Sequence, residues 1–368
     1  MCGIVGFYGS KLPSLPSLNK SSKLIKHRGP DAVGSIILKK NKLALIHRRL
    51  SIIDLDRRSN QPMKYEDSIL IFNGEIYNYI EVRKILKSLG HKFKTNSDTE
   101  VLIHALKEWK EKAVEYLEGM WAFAWFDIKS KNLILSRDRF GEKPLYYLTK
   151  KNNFYFSSEI KSLSAISSTK FKINYEKVEA FLKNGYKSIY KDKNLFFKEI
   201  QQVEPGCVLI INSSFGVKKI NLWKSKISKF KIKKNYKEII KINKSNLINS
   251  TKLRMRSDVP IGFCMSSGVD SNGLISIAKK KLKQKIVAYT IYSKDKDYDE
   301  YKLTKKSAVK LRVKLNLVKV PKYNFLKNLE KIISQRGYPI FTISYYLHWH
   351  MMKKMKEDGI KVAISGSG

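Results

Sequence analysis

The first half of the chain is a series of short apolar runs, rich in β-branched and aromatic residues, that turn residues separate. Runs of this length and composition predict strands. Apolar residues at helical spacing over 80–89 and 99–116 predict two helices among them. A series of strands with few helices favours an α+β sandwich over residues 1–205. The predicted strands cover 35–38, 43–47, 69–72, 121–127, 133–137, 144–148 and 154–157.

From about residue 236 the pattern changes to strands that alternate with helices. This alternation predicts a parallel, doubly wound α/β sheet over residues 236–368. Residues 206–235 contain a Ser/Gly turn and a lysine-rich stretch, so we predict a linker there between two domains. The predicted strands of this half are 261–265, 287–292, 317–320 and 361–364, and its predicted helices are 236–254, 274–283 and 299–311.

Composition narrows the class of protein. A chain of 368 residues can form two domains with cores of their own, and its hydrophobic content of 43% is that of a soluble globular protein. No apolar run approaches the ~20 residues of a membrane span, and the start lacks a secretory leader pattern. Cys2, Cys207 and Cys264 are widely separated, as expected of reduced thiols in a cytoplasmic protein.

The net charge of +41 raises the hypothesis of nucleic-acid binding. Most of the charge is lysine dispersed along the chain, with the densest stretch at 224–244, and the accompanying Ile and Asn indicate a compositional bias. A generic polyanion-facing surface and true nucleic-acid recognition stay open as alternatives, although no zinc-finger or RNA-recognition spacing supports the latter. We expect no specific nucleic-acid partner and leave a homodimer open as the assembly.

Cys2 is the first candidate for chemistry. Removal of Met1 would place a thiol and a free α-amine on one residue, with ordinary pKa values of ~8.5 and ~8. The amine can then serve as the base that activates its own side chain, as in N-terminal nucleophiles. The alternative is an incidental or buried cysteine beside an ordinary start codon.

Polar motifs in the first half supply partners for such a thiol. A thiol that attacks a carboxamide needs donors for the oxyanion, and Asn73 followed by Gly74 offers a side-chain amide and an accessible backbone N–H. Arg49 suits a substrate carboxylate, and Glu75 or Asp98 an ammonium. The alternatives are a hairpin turn at Asn73-Gly74 and a helix cap at Asp98, with Ser97 as the other capping candidate.

Taken together, these motifs resemble the glutaminase domain of class II glutamine amidotransferases, specifically in the glutamine-hydrolysing asparagine synthetase family. The resemblance implies an N-terminal-nucleophile (Ntn) hydrolase αββα sandwich, with Cys2 as nucleophile and Asn73 and Gly74 as the oxyanion hole. It also implies a glutamine site formed by Arg49, Leu50, Ile52, Asn73, Gly74, Glu75 and Asp98. The motifs are CGIVG at 2–6, HRGPD at 27–31, RRLSIID at 48–54, NGEIYN at 73–78, SDTEV at 97–101, RDRFGEKPLYY at 137–147 and SSEIKSL at 157–163.

The second half carries the motif MSSGVDS at 265–271, between a predicted strand and a predicted helix. A helix N-terminus binds phosphate through its free N–H groups, and Asp270 could hold the accompanying Mg²⁺. The motif is similar to the pyrophosphate loop of ATP-dependent adenylating enzymes, except that Ser267 replaces a glycine, which phosphate binding tolerates only without a positive φ. The resemblance implies an ATP site formed by Met265, Ser266, Ser267, Gly268, Asp270, Ser271, Ile291, Ser365 and Gly366.

The end of the chain differs from the family pattern. Ser367 stands where these synthetases carry a glutamate, and the chain ends at Gly368, before an acidic pair and a helical remainder. We therefore expect the second domain to be truncated, and the chain to hydrolyse glutamine without making asparagine. The expected activity is ATP–Mg²⁺-dependent amidation of aspartate, or alternatively of another small carboxylate, without a tightly bound organic cofactor. A sugar-phosphate amidotransferase is a further alternative, against which the 266–271 loop argues.

Overall fold

The computed structural model describes residues 1–189, 191–223, 235–292, 299–321 and 323–366. The chain forms two compact units, Met1–Lys226 and Ile227–Gly368. Among the described residues no helix is both long and apolar enough to cross a membrane.

The first unit contains two antiparallel six-stranded sheets, as far as the chain is described. The strand order is β10-β8-β9-β1-β3-β2 in the first sheet and β12-β11-β7-β6-β5-β4 in the second. The strands are β1 (Gly3–Gly9), β2 (Ala32–Leu38), β3 (Leu43–Arg49), β4 (Met63–Tyr65), β5 (Ser68–Ile76), β6 (Gly119–Asp127), β7 (Asn132–Arg137), β8 (Tyr146–Thr149), β9 (Asn153–Ser157), β10 (Gln201–Gln202), β11 (Cys207–Ile211) and β12 (Val217–Asn221). The helices are α1 (Leu15–Leu24), α2 (Tyr79–Ser88), α3 (Asp98–Trp109), α4 (Ile160–Ser167) and α5 (Tyr175–Asn184).

Strand β6 explains why the two sheets stack. Its odd-numbered aromatic residues, such as Phe123 and Trp125, pack in the cluster that holds helices α2 and α3. Its even-numbered residues, such as Ala124 and Phe126, pack in the cluster that joins the two sheets. Alternate side chains of a strand point to opposite faces, so an uninterrupted apolar run requires cover on both. Helices α1 and α4 contact the first sheet, which completes an αββα sandwich and confirms the predicted fold class.

Two boundaries in this unit differ from the sequence prediction. The predicted linker at 206–235 is wrong in its first part, because β11 pairs with β7 and β12 pairs with β11 in the second sheet. The lysine-rich remainder at 224–234 lies outside the described residues. Helix α3 was predicted to continue to 116, but it ends at Trp109 because Lys110 adopts a φ of +53°, which no α-helix accommodates.

The second unit contains a parallel four-stranded sheet in the order β15-β14-β13-β16 among its described residues. Strand β13 is flanked by β14, which follows it in the chain, and by β16, the last strand. The loops after β13 and β16 therefore meet at a topological switch point, where ligands bind in doubly wound sheets. The elements are α6 (Tyr236–Arg254), β13 (Ile261–Cys264), α7 (Val269–Ser276), β14 (Val287–Tyr292), α8 (Tyr301–Leu311), β15 (Lys314–Lys319), α9 (Phe325–Arg336), α10 (Ser344–Glu357) and β16 (Val362–Ile364).

This topology confirms the doubly wound prediction for the second half. Strand β15 begins at Lys314, earlier than the predicted 317–320, because Lys314, Leu315 and Asn316 also pair with β14. The exposed Lys314 and the polar Asn316 concealed this start in the sequence. The core beneath the sheet joins Phe263, Ile275, Ala288 and Ala308.

Candidate functional site

Cys2 lies immediately before β1, and the loop that follows β3, starting at Leu50, contacts its thiol. The backbone N–H of Leu50 donates to Cys2 Sγ at 3.3 Å, and the Cys2 carbonyl accepts from Arg28 Nε at 2.9 Å. Burial raises the pKa of the Cys2 thiol, while the positive N-terminus and the Leu50 hydrogen bond oppose that rise. The nearby N-terminal amine is therefore one of the groups on which thiolate formation depends.

The α-amine of Met1 lies in the same site. Burial, with smaller contributions from the cations Arg28 and Lys143, lowers the pKa of this amine to about 5. While Met1 is attached, the nitrogen of Cys2 is an amide and has no basic lone pair. Removal of Met1 would transfer the role of base to the amine of Cys2.

Asn73 and Gly74 lie within strand β5, opposite Ala122 and Trp121 of β6, so the hairpin alternative is wrong. The side chain of Asn73 is fully buried, and neither its Nδ2 nor its Oδ1 has a hydrogen-bond partner in the described structure. An unsatisfied buried amide costs about 1–3 kcal/mol, so its retention points to a ligand that completes it. A Cβ on Gly74 would lie 2.1 Å from the carbonyl oxygen of Met120, which excludes any side chain there.

The residue before Asn73 is held by two side chains that the sequence analysis did not identify. Strand β4 is too short to pair with β5 at Phe72, and Gln61 Oε1 accepts from the Phe72 N–H at 2.6 Å. His47 Nε2 lies 3.1 Å from the Phe72 carbonyl, and burial lowers the His47 pKa to about 3, so a neutral ring donates there. The pair fixes the strand edge that presents Asn73.

Glu75 and Asp98 are the buried carboxyl groups of this site. Burial raises the pKa of Glu75 to about 7 and that of Asp98 to about 6, and the two groups also repel each other. Asp98 Oδ2 accepts from the N–H of Ile76 at 2.9 Å, whereas Ser97 caps helix α3 by accepting from Glu100. The capping alternative therefore holds for Ser97. The Asp98 carboxylate accepts from backbone N–H groups, and its role in holding a substrate ammonium stays a prediction.

Arg49 is committed to the loop that follows it. Its Nη1 donates to the Asp56 carbonyl and to Asn60 Oδ1, both at 2.8 Å, and its Nη2 donates to the carbonyls of Ile53 and Asp54. To bind a substrate carboxylate with both guanidinium nitrogens, Arg49 would have to give up these hydrogen bonds. The role of Arg49 in binding that carboxylate therefore stays a prediction. Leu50 and Ile52, in the same loop, are half-buried, and their place in the glutamine site stays a prediction.

In the second unit, the loop after β13 leads into the uncapped N-terminus of helix α7, a feature that can bind an anion. Met265 donates to the Tyr289 carbonyl at 2.8 Å, and Ser266 Oγ lies 3.0 Å from Ser271 Oγ. Gly268, with φ −66° and ψ 154°, precedes helix α7 without a side-chain cap, which leaves its first N–H groups available to a ligand. Ser267 does not have a positive φ, so its replacement of glycine leaves the backbone unstrained.

A cavity of about 900 Å³ opens at this switch point. Of the predicted ATP-binding residues, Ser267 does not line it; its N–H and hydroxyl instead donate to Glu300 Oε2 at 2.9 and 2.8 Å. A Cβ on Gly366 would lie 2.8 Å from the Ser271 nitrogen, so β16 ends in close contact with helix α7. The predicted residues that line the cavity are Met265, Ser266, Gly268, Asp270, Ser271, Ile291, Ser365 and Gly366.

Other lining residues escaped the sequence analysis. Lys319 and Tyr292, at the ends of β15 and β14, place a cation and a phenol in the cavity, and His348 also lines it. His350 is buried and packs against the ring of Tyr346. Strand ends at a switch point are the signal that could have identified Lys319 and Tyr292.

The donor set for a divalent cation is sparse. Asp270 and Glu300 are the carboxylates of the cavity lining, and no cluster of three metal-ligating side chains occurs in the described ranges. Mg²⁺ commonly binds one or two carboxylates together with substrate phosphates and waters. Asp270 therefore fits a cation that arrives with a nucleotide rather than a resident metal.

Comparisons with known proteins find a matching family for each half of the chain. A family described as glutamine amidotransferase domain matches residues 1–221, and a family described as asparagine synthase matches residues 244–368. Glutamine-hydrolysing asparagine synthetase 1 of Bacillus subtilis is 31% identical over 100% of the chain, and the match covers 58% of that protein.

Two further relatives differ in the names they carry. Putative glutamine-hydrolysing asparagine synthetase 2 of Methanocaldococcus jannaschii is 34% identical over 76% of the chain and 57% of its own length. Amidase chry2 of Gibberella zeae is 28% identical over 100% of the chain and 58% of its own length. The chain thus spans somewhat more than half the length of these relatives.

Proposed function

The chain belongs to the family of glutamine-hydrolysing asparagine synthetases, and from that premise we propose that it transfers the amide nitrogen of glutamine to a carboxylate activated by ATP. The observation that carries the proposal is the side-chain amide of Asn73 in β5, which is buried without a hydrogen-bond partner in the described structure. At the end of the same strand, the N–H of Ile76 donates to Asp98. Asp98 and Arg49 both act electrostatically on Cys2, so these elements converge on one thiol. A cytoplasmic setting, where thiols stay reduced, is part of the proposal.

In the proposed first reaction, Met1 has been removed and the amine of Cys2 takes the proton of its own thiol. The thiolate attacks the carboxamide carbon of glutamine, while Asn73 Nδ2 and the Gly74 N–H donate to the developing oxyanion. The protonated amine returns its proton to the departing nitrogen, which leaves as ammonia. Water then hydrolyses the γ-glutamyl thioester and releases glutamate. Glu75 and Asp98 hold the substrate ammonium.

In the proposed second reaction, the loop at 266–271 holds the phosphates of ATP through the N-terminus of α7. Asp270 binds the Mg²⁺ that the nucleotide carries. The acceptor carboxylate attacks the α-phosphorus, which forms an acyl-adenylate and releases pyrophosphate. Ammonia then displaces AMP and forms the amide. A carboxylate is inert to amines without such activation.

Aspartate is the proposed acceptor, and another small carboxylate is the second candidate. The similarity to a fungal amidase over the whole chain favours the second candidate, since that relative is not named a synthetase of asparagine. Ser367, where the family carries glutamate, lies outside the described residues.

The acceptor assay uses the chain with ATP, Mg²⁺, ammonium and one acid at a time, and it measures pyrophosphate. The proposed second reaction predicts pyrophosphate release that depends on the acid and saturates with it; asparagine among the products would overturn the expectation that this chain makes none. Release with aspartate supports the first acceptor, and release only with another acid, such as a uronic acid, supports the second. ATP turnover that no acid stimulates would contradict the proposed second reaction for this chain.

Glu300 gives a separate prediction about nucleotide binding. Its carboxylate accepts hydrogen bonds from the N–H and the hydroxyl of Ser267, and its negative charge would repel phosphates that approach the loop at 266–271. Glu300→Gln removes the charge-assisted part of this contact, so ATP should bind about tenfold more tightly in calorimetric titration. Glu330→Gln, on the exposed face of α9, is the matched control and should leave Kd unchanged. Weaker ATP binding by Glu300→Gln would show instead that this carboxylate assists the nucleotide.

A further inference from the structure

Lys143 is a buried lysine of the first unit that the proposed reaction does not use. Its side chain is 6% exposed, and its Nζ lies 3.3 Å from the Sδ of Met1. Within the described residues no carboxylate lies at ion-pair distance from this ammonium. A buried cation without a contacting counter-ion is costly, and burial accordingly lowers the pKa of Lys143.

The backbone of Lys143 is held rigidly in spite of this cost. Its N–H donates to Asp138 Oδ2 at 2.9 Å, and its carbonyl accepts from Arg137 Nε at 2.7 Å. Asp138 is fully buried and also accepts from the N–H groups of Phe140 and Glu142. The loop therefore fixes the point from which the lysine side chain extends toward the N-terminus.

The charged groups around Lys143 are those whose pKa values its positive charge can change. Among them, the α-amine at the N-terminus and Glu75 are the groups whose proton affinity Lys143 lowers. Arg28 also approaches Met1, with Nη2 4.0 Å from the same sulfur that Lys143 contacts. The charged groups that face this cluster are Glu75 from β5, Asp98 from α3, Arg49 from β3, Arg28, and Asp138 and Glu142 from the loop of Lys143 itself.

We propose that Lys143 is a positioning residue that keeps the α-amine of Cys2 in its neutral, proton-accepting form once Met1 has been removed. The inference rests on the proposed glutamine hydrolysis. A neighbouring cation disfavours a second positive charge, so the amine loses its proton at a lower pH and can accept the proton of the thiol. The same cation favours the ionised form of Glu75, the form that holds the ammonium of glutamine.

The sign of the effect follows from these charges. Loss of the Lys143 charge raises the pKa of the amine, so its neutral form appears only at higher pH. It also raises the pKa of Glu75, which burial already brings to about 7, so the carboxylate too appears only at higher pH. Both changes move the acidic limb of the pH profile of kcat/KM upward, by about one pH unit for a charge at short range.

The test compares pH profiles of glutamine hydrolysis by the full chain. Lys143→Met keeps an unbranched side chain without charge, and its acidic limb should shift upward by about one unit, a tenfold loss of kcat/KM on that limb with recovery at alkaline pH. Lys143→Arg should restore the wild-type profile. Lys177→Met is the matched control, because Lys177 is also buried but pairs with the Ser188 carbonyl and Asp192, and its profile should not move.

The outcomes separate the inference from the proposed function. An active wild type with an unshifted Lys143→Met profile overturns the inference and leaves glutamine hydrolysis standing. A wild type that does not hydrolyse glutamine overturns both. If Lys143→Met loses turnover at every pH, the pH dependence of acetylation of the N-terminal α-amine by acetic anhydride decides. Its midpoint should then lie above that of the wild type, and an equal midpoint contradicts the inference.

Discussion

Cys2→Ala abolishes glutamine hydrolysis: we expect kcat to fall by about a thousandfold or more, the loss typical when a covalent nucleophile is removed. Alanine has no atom that can form the γ-glutamyl thioester, and water is not activated in its place. The residue is half-buried at the start of β1, where its Sγ accepts a hydrogen bond from Leu50, so truncation costs little stability. The measurement is glutamate release by the purified chain, with thermal denaturation to verify folding.

Cys264→Ala is the control for this prediction. Cys264 is also a half-buried free thiol, but it lies at the end of β13 in the second unit, and burial raises its pKa to about 11. A thiol that stays protonated is a poor nucleophile, so this variant should hydrolyse glutamine at the wild-type rate. Equal activity of wild type and Cys2→Ala, or loss of activity in Cys264→Ala alone, would contradict the assignment of the nucleophile.

Asn73→Ala separates catalysis from stability. Loss of one oxyanion donor costs about 100-fold to 1,000-fold in kcat, while KM should change little because the oxyanion exists only in the transition state. The free energy of unfolding should stay level or rise, since the variant removes an amide that is buried without partners. The measurements are steady-state kinetics with glutamine and urea denaturation of the same samples.

Asn78→Ala is the matched control, from the same sequence motif. Asn78 Nδ2 donates to the Tyr116 carbonyl at 2.9 Å, and its Oδ1 accepts from the Glu118 N–H at 2.8 Å. Its removal should cost about 1–2 kcal/mol of stability and leave kcat within a few-fold of wild type. An Asn73→Ala variant that is less stable yet fully active would reverse this pattern and show that Asn73 is structural.

The two interpretations of Asn73-Gly74, as oxyanion donors and as a hairpin turn, show what the sequence could predict. Asn-Gly is a strong hairpin signal on local grounds, but here the pair lies within a strand, because β5 continues past it to Ile76 and pairs with β6 throughout. The ordered motifs of the first half predicted its chemistry, and the alternating faces of β6 required the two stacked sheets. The fold class therefore followed from pattern and motif together.

Tertiary contacts account for what the sequence did not predict. Lys143 is one lysine in a lysine-rich chain, and only folding brings it to the N-terminus. His47 and Gln61 acquire their role because β4 begins only at Met63, opposite Leu70, and leaves β5 without a strand partner on that side at Phe72. Strands β11 and β12 were interpreted as linker because a Ser/Gly turn separates them and a lysine-rich stretch follows, and because most residues of β12 are exposed.

The most direct test of the central claim is mass spectrometry of the chain after acid quench during glutamine turnover. The account predicts an N-terminal peptide that begins at Cys2 and carries a γ-glutamyl thioester, the adduct that forms when the thiolate displaces ammonia. Cys2→Ala should carry no adduct. Turnover by a chain that retains Met1, or an adduct on Cys207 or Cys264 instead of Cys2, would contradict the account.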